Sequence, residues 1–432
     1  MQNIQEIKLA VDTMWVLIMG LLVFFMNSGF AMLETGFCRA KNAVNMLSQN
    51  LIVFFISTLA FVTIGFALMF SGPNKFIGTS GFFLAGSQEI YTAIKNINLP
   101  LEAIFFFQVV FAGTASTIIS GALAERIKFV AFLIFTFFMA ALIYPVSGHW
   151  ILGKGFLYQM GVRDFAGGLM IHTLGGIAAL SGVIVLGPRV GKYNKDLSAN
   201  PILGHSMPMI TLGGFILWLG WFGFNLGCTL GFLPKLSSHI ALCTNACGIT
   251  GGLGALFTSW FLLKKPDLSM VVNGLLSGLV ASTSSCAYVS LLSAHIIGFI
   301  AGSLVVISIL SMDRIFHIDD PVGAISVHGI SGIWGALALG LFSAKEQIIY
   351  SNISYPKAGL FFGGGTEQLI LQIVGIICVV LWSFGVSFLI WNILKHTIGI
   401  RISQKAEVDG LDIAEHGMEA YPGFVGRGES II

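Results

Sequence analysis

Charged residues are scarce in this chain of 432 residues. Lys, Arg, Asp and Glu make up only 10% of it, against about 25% in soluble proteins. The net charge is +2, with no basic arm that would indicate nucleic-acid binding. Hydrophobic residues make up 56% of the chain and the mean hydropathy is +0.88, so a soluble globular protein is excluded and the sequence predicts a protein embedded in a lipid bilayer.

Patterns typical of metal and catalytic sites are also missing. The six cysteines have no CxxC spacing, and Cys243 and Cys247 alone are too few ligands for a metal ion, so we expect free thiols, no metal and no cofactor. Apart from two histidines described below, no nucleophile–base constellation argues for an enzyme. The N-terminus lacks a basic region and a cleavage site, so the first apolar run is expected to be a retained span.

Long apolar runs are abundant. Windows of about 20 apolar residues, the length that crosses a ~30 Å hydrocarbon core as a helix, predict eleven spans. They fall near 12–34, 43–71, 102–124, 127–148, 165–187, 204–229, 241–263, 267–288, 291–311, 323–343 and 367–394. We therefore predict an all-α, multi-pass protein of the cell (inner) membrane, with a transmembrane domain over 1–394 and a cytoplasmic regulatory tail over 395–432.

The loops predict the orientation of these spans. Lys and Arg are more frequent in the loops that follow spans one, three, five, seven and nine than in the alternate loops. Because basic loops stay inside, the N-terminus is expected outside and the C-terminus inside. The two five-span halves then run in opposite directions, as in inverted-repeat transporters, whose working site lies at the midplane between the halves.

One motif occurs twice in matching glycine-rich segments. Asp164 precedes His172 by eight residues, and Asp320 precedes His328 by eight residues. Eight helical residues rise about 12 Å, so each histidine is expected near the middle of the bilayer. Ionisable groups at that depth usually line an interior pathway, which indicates a pore to which each half supplies one histidine. The alternative is that each histidine only bonds a neighbouring carbonyl in a packed bundle.

Aromatic residues indicate an entrance on the outer side. Gln108 and Phe111 lie in the outer half of span three, and Trp221 and Phe224 precede Cys228 at the outer end of span six. Aromatic faces attract a cation by about 0.5–2 kcal/mol, so these residues predict a vestibule for a small cation. Aromatic side chains are also common at membrane interfaces, and the residues alone leave that alternative open.

Six longer motifs identify a family. They are Arg39-Ala-Lys41-Asn42, Gly121-Ala-Leu-Ala-Glu125-Arg126, Asp164-Phe-Ala-Gly-Gly before His172, Gly220-Trp-Phe-Gly-Phe-Asn225, Asp319-Asp320 before His328-Gly, and Gly410-Leu-Asp-Ile-Ala-Glu-His416-Gly. On these motifs the chain resembles the ammonium transporter/Rhesus (Amt/Rh) family from about residue 11 to residue 424. The resemblance implies eleven helices with a five-plus-five inverted repeat, a homotrimer with one pore per subunit, and uptake of ammonium.

The resemblance also assigns roles to individual residues. It implies that His172 and His328 form the pore pair, that Phe111 and Phe224 form the gate, that Trp221 belongs to the vestibule, and that Asp164 has a structural role there. Two positions depart from the family pattern: Leu152 replaces a tryptophan found in many bacterial members, and Cys228 replaces a common serine. Since a thiol is a weak acceptor and leucine has no aromatic face, the outer site is expected to bind ammonium less well.

The expected mechanism follows from the chemistry of histidine. Its pKa lies near physiological pH and its two ring nitrogens can accept a proton on one side and donate on the other. We expect ammonium to lose its proton near the gate, ammonia to pass the two histidines, and the proton to follow by a histidine–water route. Net ammonia flux with the proton left outside is one alternative. The other is an ammonium-binding sensor that conducts little or nothing.

Ionisable residues near the inner face give further expectations. Glu34 is expected to pair with Arg39 or Lys41, in preference to a role in the exit path, and Glu125 is expected to pair with Arg126. The tail is too polar for the bilayer and too short to fold alone, so it is expected to dock on the inner loops. This arrangement leaves the inner surface open to a PII-type signal protein (GlnK class).

Overall fold

Eleven apolar helices form the body of the protein, in a computed structural model that describes residues 2–344 and 355–422. In chain order they are α1 (Asn3–Phe37), α2 (Ala40–Phe70), α3 (Leu101–Leu123), α4 (Phe129–Met160), α5 (Gly168–Leu186), α6 (Met207–Gly227), α7 (Pro234–Leu263), α8 (Leu268–Thr283), α9 (Leu291–Arg314), α10 (Ile325–Phe342) and α11 (Glu367–Thr397). Ten are long and apolar enough to cross a membrane, and α8 is shorter, with 16 residues. The all-α class is confirmed, and the described ranges contain no strand.

The helices coincide one for one with the predicted spans but are often longer. The helix of α1 begins at Gln2, ten residues before the first predicted span. A helix can continue past the apolar layer into water. At the other end of the chain α11 reaches Thr397, three residues beyond the predicted domain boundary. Hydropathy therefore locates each helix and misses the polar ends of the longest ones.

The two halves of the molecule are joined by an antiparallel helix pair. Gly36, near the end of α1, lies against Ile210 at the start of α6, and a Cβ there would come within 2.7 Å of the Ile210 side chain. Met19, further back on α1, lies against Gly227 at the end of α6. The first helices of the two halves thus run in opposite directions, as an inverted repeat requires. Which end of each faces the cytoplasm remains a prediction.

The outer surface of the helix bundle is apolar. Large hydrophobic side chains are more than half exposed on many helices, among them Phe215, Phe261, Leu292 and Leu381. A surface of this kind is stable only when lipid or another apolar surface covers it. The polar residues of the spans lie instead inside the bundle, where they build the site described below.

The tail returns to the bundle after α11. It contains two short helices, α12 (Gln404–Asp409) and α13 (Leu411–His416). The backbone N–H of Leu411 donates to the Asn42 side chain at 2.9 Å, and Asp412 accepts from the backbone N–H of Asn45 at 2.9 Å. The described part of the tail therefore docks on the segment that opens α2. Residues 423–432 of the predicted tail lie outside the described residues.

Candidate functional site

The two repeated aspartates cap the helices that carry the histidines. Asp164 accepts hydrogen bonds from the backbone N–H groups of Leu169 and Met170 at the start of α5, both at 2.9 Å. Asp320 accepts from the backbone N–H of Ile325 at 2.7 Å, at the start of α10. Because a helix start leaves N–H groups without partners, these carboxylates satisfy donors that would otherwise be buried unpaired.

Asp164 is also tied to a neighbouring helix. The hydroxyl of Ser284, just after α8, donates to its second carboxylate oxygen at 2.8 Å. Burial raises the pKa of the Asp164 carboxyl, while the hydrogen bonds from Met170 and Ser284 oppose that rise. The hydrogen bonds to this carboxylate come from backbone N–H groups and from Ser284, and the structural role that the resemblance implied stays a prediction.

The two histidines meet inside the bundle. His172 lies in a π-helical segment, Gly168–Thr173, and His328 lies in a second one, Ile325–Ile330. Their Nδ1 atoms are 3.1 Å apart, and the rings stack with centroids separated by 5.2 Å. One Nδ1 must carry a proton and donate to the other, so each ring keeps its Nε2 for a further partner. The widened turns of π-helices are common at functional sites.

Glycines allow the two histidine-bearing helices to come this close. A Cβ on Gly176 would lie 2.2 Å from the backbone nitrogen of Gly329, where α5 crosses α10. A Cβ on Gly332 would lie 2.5 Å from the hydroxyl of Thr173. Since real Cβ atoms essentially never approach within 3.0 Å, larger residues at these positions would push the helices apart.

Two phenylalanine rings, which we call the gate after their predicted role, lie against each other on one side of the histidine pair. The rings of Phe111 on α3 and Phe224 on α6 are 4.4 Å apart at their centroids, and both side chains are fully buried. Phe224 in turn stacks on His172 at 5.3 Å. These contacts bring together the four residues that were predicted as gate and pore pair.

Trp221 lies deeper than the sequence predicted. Its indole stacks on His172, with centroids 5.1 Å apart, and its Nε1–H donates to the Thr283 hydroxyl at 3.1 Å. It does not line the outer cavity, which corrects its assignment to the vestibule. The reason is helical rise: Trp221 stands seven residues before Cys228 on the same helix, or about 10 Å further into the bundle.

A cavity of about 330 Å³ is lined by Gln108, one helical turn before Phe111, and by Cys228, one turn after Phe224. We call it the outer cavity; its lining includes Gln108, Leu152, Asp164 and Cys228. The Cys228 thiol donates to the carbonyl of Phe224 at 3.3 Å, and burial, with the nearby charge of Asp164, raises the pKa of this thiol. The group at this position is therefore a neutral thiol, as the sequence departure indicated.

Two cationic side chains also line the outer cavity, a position that the sequence did not predict. Lys154 and Arg163 both line it, together with Tyr158 and Tyr288. The Arg163 guanidinium lies 4.5 Å from the centre of the Tyr158 ring and donates to the carbonyl of Val162. Positive charge near the entrance opposes the binding of a cation. No sequence signal distinguished these two residues from ordinary loop residues.

A second, much smaller cavity adjoins His328 on the side away from the gate. We call it the inner cavity; its volume is about 20 Å³, enough for one water-sized molecule. Phe30, Glu34 and Asn273 are among the other residues that line it. The order of features is thus outer cavity, phenylalanine gate, histidine pair and inner cavity.

The expected ion pair of Glu34 is wrong. Its carboxylate accepts hydrogen bonds from Asn50 at 2.8 Å and Ser120 at 2.6 Å, and it lies inside the bundle. Arg39 stands beyond the end of α1 and pairs with Glu125 instead, with Nη2 and Oε2 separated by 2.6 Å. Lys41 donates to the carbonyl of Val408 in the tail.

The expected pair of Glu125 with Arg126 is also wrong. Glu125 has a positive φ of 70°, so the two neighbouring side chains point apart. Arg126 donates to backbone carbonyls, including that of Asp319 at 2.7 Å, and Glu125 pairs with Arg189 at 3.2 Å as well as with Arg39.

These side chains form a largely buried cluster at the end of the bundle that is predicted to face the cytoplasm. We call it the inner ionic cluster; it is made of Arg39, Glu125, Arg126, Arg189 and Asp319. Burial raises the pKa of Asp319, but three hydrogen bonds from Arg189 and the surrounding positive charge outweigh it and hold the pKa below its usual range. Burial lowers the pKa of Arg126 to about 10. The cluster is a structural unit: each of its two carboxylates is paired with an arginine, and the third arginine, Arg126, donates to backbone carbonyls.

Comparison with known proteins agrees with this arrangement. The sequence model of the Ammonium Transporter Family matches residues 14–421. The chain is 43% identical to "Ammonium transporter Amt2" of Archaeoglobus fulgidus, over 97% of this chain and 90% of that protein. It is 36% identical to "Ammonium transporter 3" of Dictyostelium discoideum, over 96% of this chain and 95% of that protein.

Solved structures show the same likeness. A protein described as "Sensor Amt Protein" superposes with a TM-score of 0.88 at 37% identity, over 95% of this chain and all of that chain. Mep2 of Candida albicans superposes with a TM-score of 0.84 at 26% identity, over 92% of this chain and 87% of that chain. The chain therefore belongs to the ammonium transporter family and is a multi-pass membrane protein.

Proposed function

We propose that the protein takes up ammonium by separating it into ammonia and a proton. Ammonium enters the outer cavity, loses a proton at the gate of Phe111 and Phe224, and crosses as ammonia past His172 and His328, while the proton follows through the histidine pair. The observation that carries this proposal is the 3.1 Å contact between the two histidines, placed between the closed gate and the inner cavity.

The energetics favour deprotonation over passage of the intact cation. A charged group at the centre of a bilayer costs at least about 2.5–3.5 kcal/mol. Removing a proton from an amine costs about 1.4 kcal/mol for each pH unit below its pKa. The buried phenylalanine gate offers no water to solvate a charge. A neutral molecule loses far less solvation free energy there than a cation does. Potassium has no proton to lose, so the same route excludes it.

The histidine pair supplies the path for the proton. A proton that arrives at the Nε2 of one ring can be matched by release from the Nε2 of the other, because the two Nδ1 atoms share a hydrogen bond. His172 Nε2 is buried without a partner among the described residues, which leaves it ready to bond water or ammonia in the route. Net ammonia flux without the proton remains the alternative within this fold.

The outer cavity is expected to bind ammonium weakly. Leu152 offers no aromatic face, the neutral thiol of Cys228 is a poor acceptor, and Lys154 and Arg163 add positive charge. Asp164 does not compensate, because its carboxylate is occupied by three donors. Recruitment would therefore rest on the cavity's water and on Gln108.

Transport is favoured over sensing. One similar solved structure is described as a sensor, which supports the sensor alternative. The two relatives reported above are named ammonium transporters. We also propose a homotrimer in the cell membrane, since the exposed apolar faces of the bundle need lipid or neighbouring subunits. The docked tail leaves an inner surface on which a PII-type signal protein (GlnK class) would act.

Currents from reconstituted protein test the proposal. Ammonium jumps on proteoliposomes should give a current in the natural protein, none with potassium, and none in His172→Ala or His328→Ala, while the oligomer still forms in size-exclusion chromatography. His295→Ala is the matched control, because this histidine is exposed and bonds only within its own helix, to the carbonyl of Leu291. Undiminished, potassium-excluding currents in both pore variants would contradict the relay.

A further inference from the structure

One carboxyl group inside the helix bundle has no role in the function proposed above. Glu34 stands three residues before the end of α1 and is only 2% exposed. No Lys, Arg or His of the described residues lies within ion-pair distance of it, whereas the two acids of the inner ionic cluster, Glu125 and Asp319, each have an arginine beside them. A buried carboxylate without a cation is costly, so its place in the pore region calls for a chemical reason.

Polar groups hold the Glu34 side chain in one orientation. The amide of Asn50 and the hydroxyl of Ser120 both donate to the same oxygen, Oε2, at 2.8 and 2.6 Å. Asn50 is itself fixed by the Thr117 hydroxyl, which donates to the Asn50 carbonyl oxygen at 2.9 Å. Ser120 has a single proton and can turn it to the carbonyl of Thr117 at 2.6 Å. This arrangement suits a carboxyl group in both its charged and its neutral form.

Glu34 and His328 line the same inner cavity. The cavity has room for about one molecule the size of water or ammonia, and both side chains border it. Glu34 thus lies one step beyond the histidine pair, on the side opposite the gate. Other ionisable groups near it are Asp320 and Cys38, neither of which lines this cavity.

We propose that Glu34 is the inner proton carrier of the pore, and this proposal rests on the transport function proposed above. The Glu34 carboxylate takes the relayed proton from His328 through the molecule in the inner cavity and becomes a neutral carboxylic acid. The lone pair of an ammonia molecule then takes that proton: the O–H bond breaks, an N–H bond forms, and ammonium leaves on the inner side. The carboxylate is restored for the next cycle, and no other reactant is needed.

A purely structural role is the alternative that an experiment must separate. Glu34→Gln keeps the size and the hydrogen bonds to Asn50 and Ser120 but cannot carry a proton, whereas Glu34→Asp keeps the carboxyl group. Glu102→Gln is the matched control, because Glu102 is an exposed acid in the first turn of α3. All three should assemble as the natural protein does, since none disturbs the apolar packing.

The test is the ammonium-evoked current of reconstituted protein, measured against inner pH. A positioned acid or base usually contributes about 10²–10⁴-fold to a proton transfer, so Glu34→Gln should lower the current at least tenfold and remove its dependence on inner pH. Glu34→Asp should keep part of the current with a shifted pH profile, and Glu102→Gln should match the natural protein. Natural current and pH profile in Glu34→Gln would overturn the proposal.

Controls separate this proposal from the broader one. If the natural protein gives no current at all, the transport function fails; if His328→Ala loses the current and Glu34→Gln keeps it, only the role of Glu34 fails. Should Glu34→Gln not assemble, infrared difference spectra of the natural protein upon ammonium addition decide. A carboxylic-acid band that shifts in Glu34→Asp supports the carrier, and the absence of such a band overturns it.

Discussion

Gly176 and Gly329 face each other where α5 crosses α10, and exchanging each for alanine tests whether the pore depends on the contact between the two histidines. The two positions are not equivalent. A Cβ on Gly176 would lie 2.2 Å from the Gly329 nitrogen and 2.5 Å from its Cα, both backbone atoms that cannot turn away. A Cβ on Gly329 would meet nothing nearer than 3.5 Å, which is ordinary van der Waals contact.

The size of the effect follows from these distances. Relieving the Gly176→Ala clash from 2.2 Å to at least 3.0 Å requires a separation of at least 0.8 Å between the two helices. The same shift applied to the histidine contact lengthens it from 3.1 Å to about 3.9 Å, beyond hydrogen-bond range. Overpacking should also cost about 1–3 kcal/mol of stability. Gly329→Ala has neither consequence, and alanine favours the helix by up to about 1 kcal/mol.

The assay compares ammonium-evoked currents and thermal unfolding of the two variants in the same lipid. We expect Gly176→Ala to lose at least tenfold in current, as a broken proton relay should, with a lowered melting temperature. Gly329→Ala should keep both at the natural level. Equal losses in the two variants, or an unimpaired Gly176→Ala, would refute the claim that the close crossing of α5 and α10 sets the histidine contact.

Changes elsewhere in the molecule have expected outcomes too. Cys228→Ser should strengthen ammonium binding by about 1 kcal/mol, which lowers the half-saturation concentration about fivefold. The gain is smaller than the ~1.5–3 kcal/mol of a well-made charged hydrogen bond, because the cavity is open to water. An unchanged or higher half-saturation concentration would mean that residue 228 does not contact the cation. Truncation after Arg401 removes the docked tail and should lower or uncouple transport while the trimer still forms; full current and an unchanged response to a PII protein would argue against regulation. Asp319→Asn removes the carboxylate that takes three hydrogen bonds from the buried Arg189 and leaves it only Glu125 as an acidic partner, so it should cost up to about 3–5 kcal/mol in thermal unfolding. Because the pKa of Asp319 is lowered in the folded protein, its stabilisation is present above the ordinary value of about 3.9 and is lost as the pH falls towards the folded pKa, so the two proteins should converge in acid.

The sequence predicted the helices and the pore pair because each leaves a local or repeated signal. Apolar runs of membrane length mark the spans directly. The same criterion predicted the short α8 over 267–288, five residues beyond its last helical residue, Thr283. His172 and His328 were found because the same eight-residue spacing occurs twice. In the structure each aspartate caps the start of a helix, and the histidine lies eight residues further along that helix.

Other features depend on which side chains meet across the bundle. Arg39 pairs with Glu125, which is 86 residues away, so a reading of neighbours along the chain assigned partners wrongly to both Glu34 and Glu125. Trp221 was placed in the vestibule because the motif gives the sequence of residues along α6. It does not show at which residue of that helix the outer cavity ends. Lys154 reaches the outer cavity from a break in α4 between Ile151 and Phe156, and Arg163 from the segment after α4. Composition does not predict either position.

Asp319 and Asp320 are neighbours that serve two different networks. Asp319 is clamped by Arg189 in the inner ionic cluster, and Asp320 caps the helix that carries His328. The depth of that histidine is therefore set by a polar anchor and not by how the helix ends match the lipid. Bilayers of different thickness tilt or stretch membrane helices to reduce hydrophobic mismatch. Here such adjustments would be taken up by the lipid-facing helices, and the spacing of the histidine pair would stay constant from one membrane to another.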